Sequence, residues 1–581
     1  MMRPPTPPVY VFVIDVSAQA VASGMLAVCA DTIKRELDNL PGAPRTRVGF
    51  ITFDNAVHFY NLKAGLTSPQ MMVVPDINEL FIPIPDELLV NLSDSRELVE
   101  ALLDMLPRAH QSTRNPDTCL VGGKMLVFQS SLPTAGQGSL KHREDSRVLG
   151  TNKEHDLLNP VDTFYRKNAI EFCRQQVSVD TFLFSPQYTD YASLGAMSKY
   201  SAGQVFHYPG FVAAKDGDKF SAELAHTLTR ETGWESVMRV RCTKGMRLVN
   251  FYGNSFLRGP DLLALPNCHA DAAFAIEIEH QDALLTASVI SIQAALLYTT
   301  SCGERRIRVL TVAIPVTKSL EVALKSGLET ARNKMQTVCV DIARAYRTSG
   351  AYGHNNPTNN TGYQLQLPES LQLLPLYTMA LMKSPAFRGG TDIGSDERSH
   401  VQYTLYNMPV SLSRSFIYPR LFSLLDLAPE AGLPSDDPRA VTAGADKIVL
   451  PHVLNLSVER LNTEGAFLLE DTLSLYLWVG RALHPRFVSS LFGADSIEGI
   501  DCRELSLAPP TDDVGTRVHN IVQALREDRT AHMKLHVIRE GHPVEGKFFW
   551  KLVEDRASFA GGQASYAEYL GQINRLSHGG K

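Results

Sequence analysis

Val9-Tyr10-Val11-Phe12-Val13-Ile14-Asp15-Val16-Ser17 is the stretch around which the first part of the chain is organised. Its first six residues are apolar and mostly β-branched or aromatic, without the alternation of a half-buried strand. Such a run is typical of a strand that is buried on both faces of a sheet. Asp15 and Ser17 follow at its carboxyl end, the edge where polar functional groups collect in open α/β sheets.

The length and composition of the chain limit its class. Its 581 residues exceed what one hydrophobic core organises, so we expect about three or four domains. The formal net charge of -6 is small and gives no basis for nucleic-acid binding, which requires a strong basic excess. The eight cysteines form no Cys-x-x-Cys pair, which argues against zinc ribbons and fits a reducing compartment. No apolar run approaches the ~18 residues that span a bilayer.

Four segments of different pattern follow one another. Up to residue 232, apolar strands alternate with amphipathic helices, which predicts a mostly parallel, doubly wound α/β sheet. Residues 233–316 contain strands and turns without a clear helix, which predicts an all-β module. A helical pattern dominates 317–446, and 447–581 combines strands and helices as an α+β domain. The predicted domains are therefore 1–232, 233–316, 317–446 and 447–581.

Enzyme motifs are absent from the sequence. It contains no Gly-x-x-x-x-Gly-Lys-Ser/Thr phosphate loop and no Gly-x-Gly-x-x-Gly after a strand. It also lacks the Gly-x-Ser-x-Gly and His-Glu-x-x-His motifs of hydrolases. We therefore predict no catalytic residues and a protein that is not an enzyme.

Asp15 and Ser17 invite comparison with a metal site. The von Willebrand factor A fold binds Mg²⁺ through Asp-x-Ser-x-Ser after its first strand, because hard oxygen ligands at alternate positions suit that ion. Here the fifth position is Gln19, whose amide is a bulkier and poorer ligand. We therefore predict no metal site and expect Asp15 and Ser17 to bond backbone groups of the loop.

An arginine pair is the clearest candidate binding feature. Arg239 and Arg241 lie two positions apart in an apparent strand, so their side chains share one face. Two interpretations are open: a solvated face with cross-strand ion pairs, or a pocket that grips carboxylates through guanidinium forks. A second basic cluster follows at Arg305, Arg306 and Arg308. A strand of the same module offers the apolar neighbours Leu296, Leu297 and Tyr298.

Longer runs, in collinear order over nearly the whole chain, resemble the cargo-adaptor subunit of the COPII inner coat (the Sec-twenty-four family). Residues 8–17 and 48–54 resemble the coat's trunk domain, and the Gln-Tyr-Thr-Asp-Tyr run from Gln187 resembles the adaptor in particular. The remaining similar runs are Tyr200-Ser201-Ala202-Gly203, Val237-Met238-Arg239-Val240-Arg241-Cys242, Gly303-Glu304-Arg305-Arg306, Glu464-Gly465-Ala466-Phe467 and the Tyr-x-Trp-Val-Gly of 476–480.

The resemblance implies a multidomain fold: a von Willebrand factor A-like trunk with a doubly wound sheet, a β-sandwich, a helical domain and a gelsolin-like α+β domain. It implies a non-enzymatic COPII cargo adaptor that binds export signals of cargo proteins for transport from the endoplasmic reticulum to the Golgi. The implied partners are the sister inner-coat subunit in a heterodimer, cargo-protein cytoplasmic tails, the small GTPase Sar and the outer coat. The protein would contact membranes peripherally from the cytoplasmic side, at endoplasmic reticulum exit sites and on COPII vesicles. Nucleic acid is not among the implied partners.

The resemblance also assigns binding residues. Arg239 and Arg241 map onto the family's pocket for acidic cargo signals. A leucine before the Gly-Glu-Arg-Arg turn lines that pocket and maps onto Leu296 or Leu297, with the register open, and Leu296 is our prediction.

Three departures from the family pattern matter. The family carries a Cys-x-x-Cys…Cys-x-x-Cys zinc finger before the trunk, and this sequence has none, so either the sequence is truncated or the finger is lost. We therefore expect no cofactor and an acidic-signal pocket that lacks the part beside the finger. The crossover between Pro107 and Lys124 is short, and the first half of the helical domain is abbreviated.

Two other functions remain as alternatives. One is the sister subunit, which activates the GTPase Sar; the Tyr-Ser-Ala-Gly and Gln-Tyr-Thr-Asp runs favour the adaptor instead. The other is a metal-dependent adhesion domain, against which Gln19 argues.

Overall fold

The computed structural model describes the chain except for residues 1–4, 78, 80, 111–123, 152, 282–288, 316–370, 389, 445, 503–504, 528, 558–563 and 578–581. The chain divides into two compact units. The first consists of Met1–Val316 with Asp392–Pro409, and the second of Thr317–Thr391 with Val410–Lys581. The four-domain division from the sequence stays a prediction.

The opening strand lies at the centre of an eight-stranded sheet with the order β4-β3-β2-β1-β6-β7-β8, and β5 also pairs with β2. β1, β2, β6, β7 and β8 are parallel, whereas β3, β4 and β5 join antiparallel. The strands are β1 (Val9–Asp15), β2 (Arg47–Phe53), β3 (Val57–Asn61), β4 (Gln70–Val74), β5 (Val90–Asn91), β6 (Met125–Gln129), β7 (Val179–Leu183) and β8 (Val205–His207). The helices are α1 (Ala18–Ala22), α2 (Met25–Glu36), α3 (Arg96–Ala109), α4 (Phe164–Arg174), α5 (Tyr191–Tyr200) and α6 (Ala213–Thr229), with 3-10 turns at Leu37–Asn39 and Glu154–Asp156.

Helices cover both faces of β1. Tyr10, Phe12 and Ile14 belong to a core that includes residues of α2, α3 and α6. Val11 and Val13 belong to the opposite core, which includes residues of α4 and α5. A fully buried side chain of this size contributes about 1.5–3 kcal/mol. The prediction of a doubly wound sheet with a strand buried on both faces is confirmed.

α3 contains Pro107 in its last turn and ends at Ala109. Proline has no backbone N–H, so Pro107 removes one backbone hydrogen bond from the helix. The helix tolerates this loss because Pro107 lies in its last turn. The short crossover predicted after it falls mainly on residues 111–123, which lie outside the described part of the chain.

The following module is a β-sandwich, as predicted. One sheet has the order β11-β12-β9-β14-β15, and β10 pairs with β13 in a second. Val240, Leu263 and Leu265 of the larger sheet share a core with Leu248 and Phe251 of the smaller. The strands are β9 (Thr232–Cys242), β10 (Met246–Tyr252), β11 (Phe256–Leu257), β12 (Leu262–His269), β13 (Ala275–His280), β14 (Val289–Thr299) and β15 (Arg305–Pro315).

Two helices follow the undescribed stretch 316–370: α7 (Leu374–Lys383) in the second unit and α8 (Ser395–Asn407) in the first. α8 packs on the trunk through polar contacts. The Asp396 carboxylate accepts hydrogen bonds from the backbone N–H groups of Thr189 (2.6 Å) and Tyr191 (2.8 Å). Arg398 Nε donates to Glu154 Oε1 at 2.6 Å. Residues 317–370 of the predicted helical segment lie outside the described part of the chain.

The second unit is built on a five-stranded sheet with the order β19-β16-β20-β21-β22. Its α+β character agrees with the prediction. One face packs against α10 (Pro485–Phe492) and α11 (Asp513–Arg526), and the other against α7 and α12 (Glu545–Phe549). The strands are β16 (Arg420–Ser423), β17 (Val441–Ala443), β18 (Asp446–Ile448), β19 (Val453–Leu454), β20 (Ala466–Glu470), β21 (Ser474–Val479) and β22 (Lys534–Arg539). The helices are α9 (Val410–Ile417), α10 (Pro485–Phe492), α11 (Asp513–Arg526), α12 (Glu545–Phe549) and α13 (Tyr566–Ser577), with a 3-10 turn at Val458–Arg460.

Within the described residues, every helix is too short or too polar to cross a membrane.

Candidate functional site

The carboxylate of Asp15 is engaged by the loops around it. Its Oδ1 accepts a hydrogen bond from the Ser17 N–H at 2.8 Å. Its Oδ2 accepts from the N–H (2.8 Å) and the hydroxyl (2.5 Å) of Ser130, the residue after β6. Burial raises the pKa of Asp15, and the hydrogen bonds from Ser130 and Ser17 oppose that rise. Asp15 therefore joins two adjacent strand ends, which is the loop role expected from the sequence.

Within the described part of the chain, the ends of the trunk strands form no cluster of metal-binding side chains. Among the described residues, no group of three or more His, Cys, Asp or Glu side chains is arranged to hold an ion. The predicted absence of a metal or cofactor remains a prediction.

Arg239 and Arg241 lie on β9 and converge on one acidic residue. Asp261 Oδ2 is 3.1 Å from Arg239 Nε and 3.8 Å from Arg241 Nε. The arginine side chains are 46% and 65% exposed, so both guanidinium groups remain largely open to solvent. The two interpretations from the sequence thus coexist: a cross-strand ion pair forms, and the charges are still accessible.

The register of the larger sandwich sheet identifies the neighbours of the pair. Ala295 of β14 lies opposite Arg239, and Leu297 lies opposite Val237. On β15, Val309 pairs with Ala295 and Ile307 with Leu297. Since directly paired residues point to the same side of a sheet, one surface carries Arg239, Arg241, Leu297, Ile307 and Val309, which we call the arginine face.

Leu296, the leucine predicted to line the site, does not lie on the arginine face. It is paired with Met238, on the opposite side of the sheet from Arg239. There it packs against the sandwich core with Val240 and Leu263. Leu297, which is 36% exposed, is the leucine on the arginine face. A shift of one residue in register exchanges these two side chains, and the sequence left that register open.

The second basic cluster does not join the pair. Arg306 and Arg308 are paired with Tyr298 and Leu296, so both lie on the other side of the sheet. Arg306 is bound to Glu304 at 2.5 Å, and Arg305 lies 3.5 Å from Glu235.

The arginine face combines positive charge with exposed apolar surface. Ile307 and Val309 are 69% and 52% exposed, beside the two guanidinium groups. An exposed ion pair such as that with Asp261 is worth about 1 kcal/mol or less. A ligand carboxylate can therefore displace Asp261, and its apolar neighbours can pack on β14 and β15.

Asp261 is the part of the site that sequence reasoning missed. It comes directly before Leu262, which pairs with Arg239. The residue is an ordinary acidic residue after a Gly-Pro turn, and its position beside the arginines depends on the pairing of β12 with β9. The only signal in the sequence that could have indicated Asp261 was its negative charge, which complements the predicted basic pair.

Family models match four consecutive parts of the chain. A Sec23/Sec24 trunk domain matches residues 5–228, and a Sec23/Sec24 beta-sandwich domain matches 233–317. A Sec23/Sec24 helical domain matches 310–415, and a gelsolin repeat matches 447–523.

Similar proteins carry one name. The protein transport protein SEC24 A of Arabidopsis thaliana is 40% identical over 99% of this chain and 57% of its own length. Human Sec24B is 37% identical over 98% of this chain and 46% of its own length. The sec24 protein of Aspergillus terreus is 38% identical, covering 99% of this chain and 67% of that protein. The chain thus spans about half to two thirds of the length of these relatives.

A solved structure with the same architecture is the human COPII-coat protein Sec24c. It superposes with a TM-score of 0.88 and 31% identity, over 99% of this chain and 77% of that one.

Proposed function

This chain belongs to the Sec24 family, and from that membership we propose that it is a cargo-adaptor subunit of the COPII coat. It would bind export signals of cargo proteins during transport from the endoplasmic reticulum to the Golgi. The observation that carries the proposal is a match to proteins named Sec24 over 99% of the chain, through trunk, sandwich, helical and gelsolin regions in order. The role is binding, without catalysis and without a metal or cofactor.

The proposed mechanism is capture of acidic cargo signals on the arginine face. Arg239 and Arg241 hold carboxylates with guanidinium nitrogens, in place of Asp261. Leu297 and Ile307 receive apolar residues next to the acidic ones. Two observations support this mechanism. The side chains of the two arginines, Leu297 and Ile307 are all exposed to solvent, and they lie on the same side of the sheet.

We propose the remaining partners on the same basis. They are the sister inner-coat subunit, which binds through the trunk, the small GTPase Sar and the outer coat. The adaptor would work at the cytoplasmic surface of endoplasmic reticulum exit sites and COPII vesicles, as a peripheral protein. The competing role, activation of Sar by the sister subunit, is disfavoured because the similar proteins named here are all Sec24 proteins.

A peptide titration tests the proposed mechanism. The probe is a fluorescein-labelled peptide with two acidic residues separated by one residue, the spacing of the two arginines along β9. We expect Arg239→Ala combined with Arg241→Ala to weaken binding tenfold or more, since each tenfold corresponds to about 1.4 kcal/mol. Fluorescence anisotropy at low and high salt measures the affinities, and salt should weaken wild-type binding by screening.

The matched control removes the same charge elsewhere in the sandwich. Arg247→Ala with Arg306→Ala deletes two exposed arginines that do not belong to the arginine face. This control should bind the peptide as the wild type does. Equal affinities for the wild type and the Arg239/Arg241 variant would refute the mechanism. GTP hydrolysis by Sar, measured with and without this chain, tests the competing role.

A further inference from the structure

A second cleft lies in the first unit and shares no residue with the arginine face. It has a volume of about 320 Å³ and opens between α5, residues 158–160, the end of β10 and α8. This is at the lower end of the size of ligand pockets, which measure about 300–1,000 Å³. Six aromatic side chains contribute to its wall, together with amide groups.

An aromatic platform forms one side of this cleft. The rings of Tyr252 and Tyr406 are parallel, with centroids 5.4 Å apart and an interplanar angle of 8°. Tyr252 is 38% and Tyr406 52% exposed, so both remain accessible. Exposed tyrosines give a rigid apolar surface at low conformational cost, and aromatic-lined grooves bind proline-rich segments in the polyproline II conformation.

Two polar atoms in the cleft are buried without a hydrogen-bond partner. The amide nitrogen of Asn254 donates to the carbonyl of Gly203 (2.6 Å) and to the hydroxyl of Tyr403 (2.5 Å). Its Oδ1 and the hydroxyl of Ser399 have no partner among the described residues. A buried acceptor without a donor is energetically unfavourable. A hydrogen bond from a ligand N–H to Asn254 Oδ1 would remove this cost and so favour binding.

The charge of the cleft restricts its ligand. Lys199 is exposed on its rim, and none of its described lining residues is acidic. A carboxylate, Oε2 of Glu277, lies 3.5 Å from the Tyr252 hydroxyl outside that lining. The cleft is therefore suited to a neutral segment that carries at most an acidic residue next to Lys199.

We propose that this cleft binds an extended, proline-containing peptide segment of a partner protein. The proline packs on Tyr252 and Tyr406, a backbone N–H bonds Asn254 Oδ1, and the Ser399 hydroxyl bonds a peptide carbonyl. The polyproline II conformation leaves its backbone groups unpaired, which fits these polar atoms. The site is additional to the arginine face and does not depend on cargo binding there.

A peptide array tests this assignment. The probes are immobilised hexapeptides with a fixed central proline and varied flanking residues, each paired with a copy in which alanine replaces the proline. We expect the labelled full chain to bind a subset of the proline peptides, and Tyr406→Ser to weaken the best of them at least threefold in solution. Phe81→Ser is the matched control, because Phe81 is 63% exposed in the same unit but lies outside the cleft. N-methylation of the peptide backbone should also weaken binding by removing the N–H donors.

Several results would overturn the assignment. They are the absence of binding across the array, equal binding of the alanine copies, and equal affinities of the Tyr406→Ser and Phe81→Ser proteins. A Ser399→Ala chain provides a second variant, since it removes one hydroxyl without opening the aromatic wall. The Arg239/Arg241 variant should bind the proline peptides normally, so a failure of this cleft and a failure of the acidic-signal mechanism give different results.

Discussion

Both carboxylate oxygens of Asp15 accept hydrogen bonds from the loops around it. Replacement by alanine leaves two buried backbone donors, the N–H groups of Ser17 and Ser130, without an acceptor. It also removes the 2.5 Å hydrogen bond of the Ser130 hydroxyl, for which the Ser17 hydroxyl at 3.3 Å is the remaining partner. An unsatisfied buried donor costs about 1–3 kcal/mol. We therefore expect Asp15→Ala to lower the free energy of unfolding by about 3–5 kcal/mol, and Asp15→Asn by less because the amide keeps one acceptor. Urea denaturation measures both.

A magnesium titration supplies the control for this interpretation. The loop role predicts no binding heat from Mg²⁺ in calorimetry and no change of the urea midpoint with added ion. A stabilisation by Mg²⁺ that disappears in Asp15→Asn would contradict it and support the metal-site alternative.

We expect Asp261 to limit the affinity of the arginine face for acidic peptides, because its carboxylate lies 3.1 Å from Arg239 Nε and 3.8 Å from Arg241 Nε in the free protein. Removal of its charge should make the arginines available and strengthen binding of the acidic peptide. We expect Asp261→Asn to tighten the dissociation constant several-fold, given that the exposed ion pairs are worth at most about 1 kcal/mol. Fluorescence anisotropy measures this change.

The control for that prediction is Glu279→Gln, which removes an exposed carboxylate from a different arginine, Arg247. It changes the net charge equally and should leave the affinity within a factor of two. If both variants tighten binding alike, the effect is one of overall charge and the role of Asp261 is disproved.

Among the elements, α8 depends on buried groups that must stay uncharged. His400 of α8 and His207 of β8 lie with their ring centroids 5.4 Å apart. Burial, and then Lys219, lower the pKa of His207 to about 4. Burial, with His207 and Lys219, also holds the pKa of His400 well below its ordinary value. Asp396 acts in the opposite direction, since burial raises its pKa to about 6.

The sign of the pH dependence follows from proton counts. Between about pH 6.5 and pH 4, the unfolded chain protonates His207 and the folded chain does not. Stability is therefore lost as the pH falls through this window, by about 2 kcal/mol at pH 5 for this one histidine. We expect the stability of His207→Phe to fall less with acid than that of the wild type, because phenylalanine does not titrate. The substitution breaks no hydrogen bond of Nε2, since His207 Nε2 is buried without a partner among the described residues.

Urea midpoints at pH 7.5 and pH 5 measure this difference. The contribution of Asp396 is common to both proteins and cancels in the comparison. His155→Phe is the control, since the His155 side chain is 65% exposed. Equal acid sensitivity of the His207→Phe protein and the wild type would contradict the argument.

The elements also show what the sequence could predict. β1 was predictable because a strand buried on both faces is apolar at every position. The bounds of α8 within the helical segment were not, because its buried face is mostly polar. Ser395, Asp396, Arg398 and Ser399 are buried there beside Val401 and give no apolar periodicity. The arginine pair was visible from its spacing within one strand. Its leucine partner was not, because the register between β14 and β9 is set by tertiary pairing.

At the scale of the molecule, the proposed functions occupy different surfaces. The arginine face lies on the sandwich, whereas the proposed heterodimer contact belongs to the trunk, whose sheet is rigid because β1 is packed on both sides. Loss of charge on an exposed sandwich strand should leave the trunk intact. We therefore expect the Arg239→Ala, Arg241→Ala chain to bind the sister inner-coat subunit with unchanged affinity.

A pull-down with the sister subunit, followed by a titration, measures this separation. Phe12→Ala is the contrasting variant, since it removes a fully buried ring from the trunk core at a cost of about 3–5 kcal/mol. That variant should lose the sister subunit together with its trunk fold, which circular dichroism reports independently. If the arginine variant also lost the sister subunit while keeping its circular dichroism spectrum, the heterodimer surface would have to include the sandwich. Capture of cargo on β9 and assembly through the trunk would then compete for the same residues, and the adaptor could not hold an acidic signal within the assembled coat.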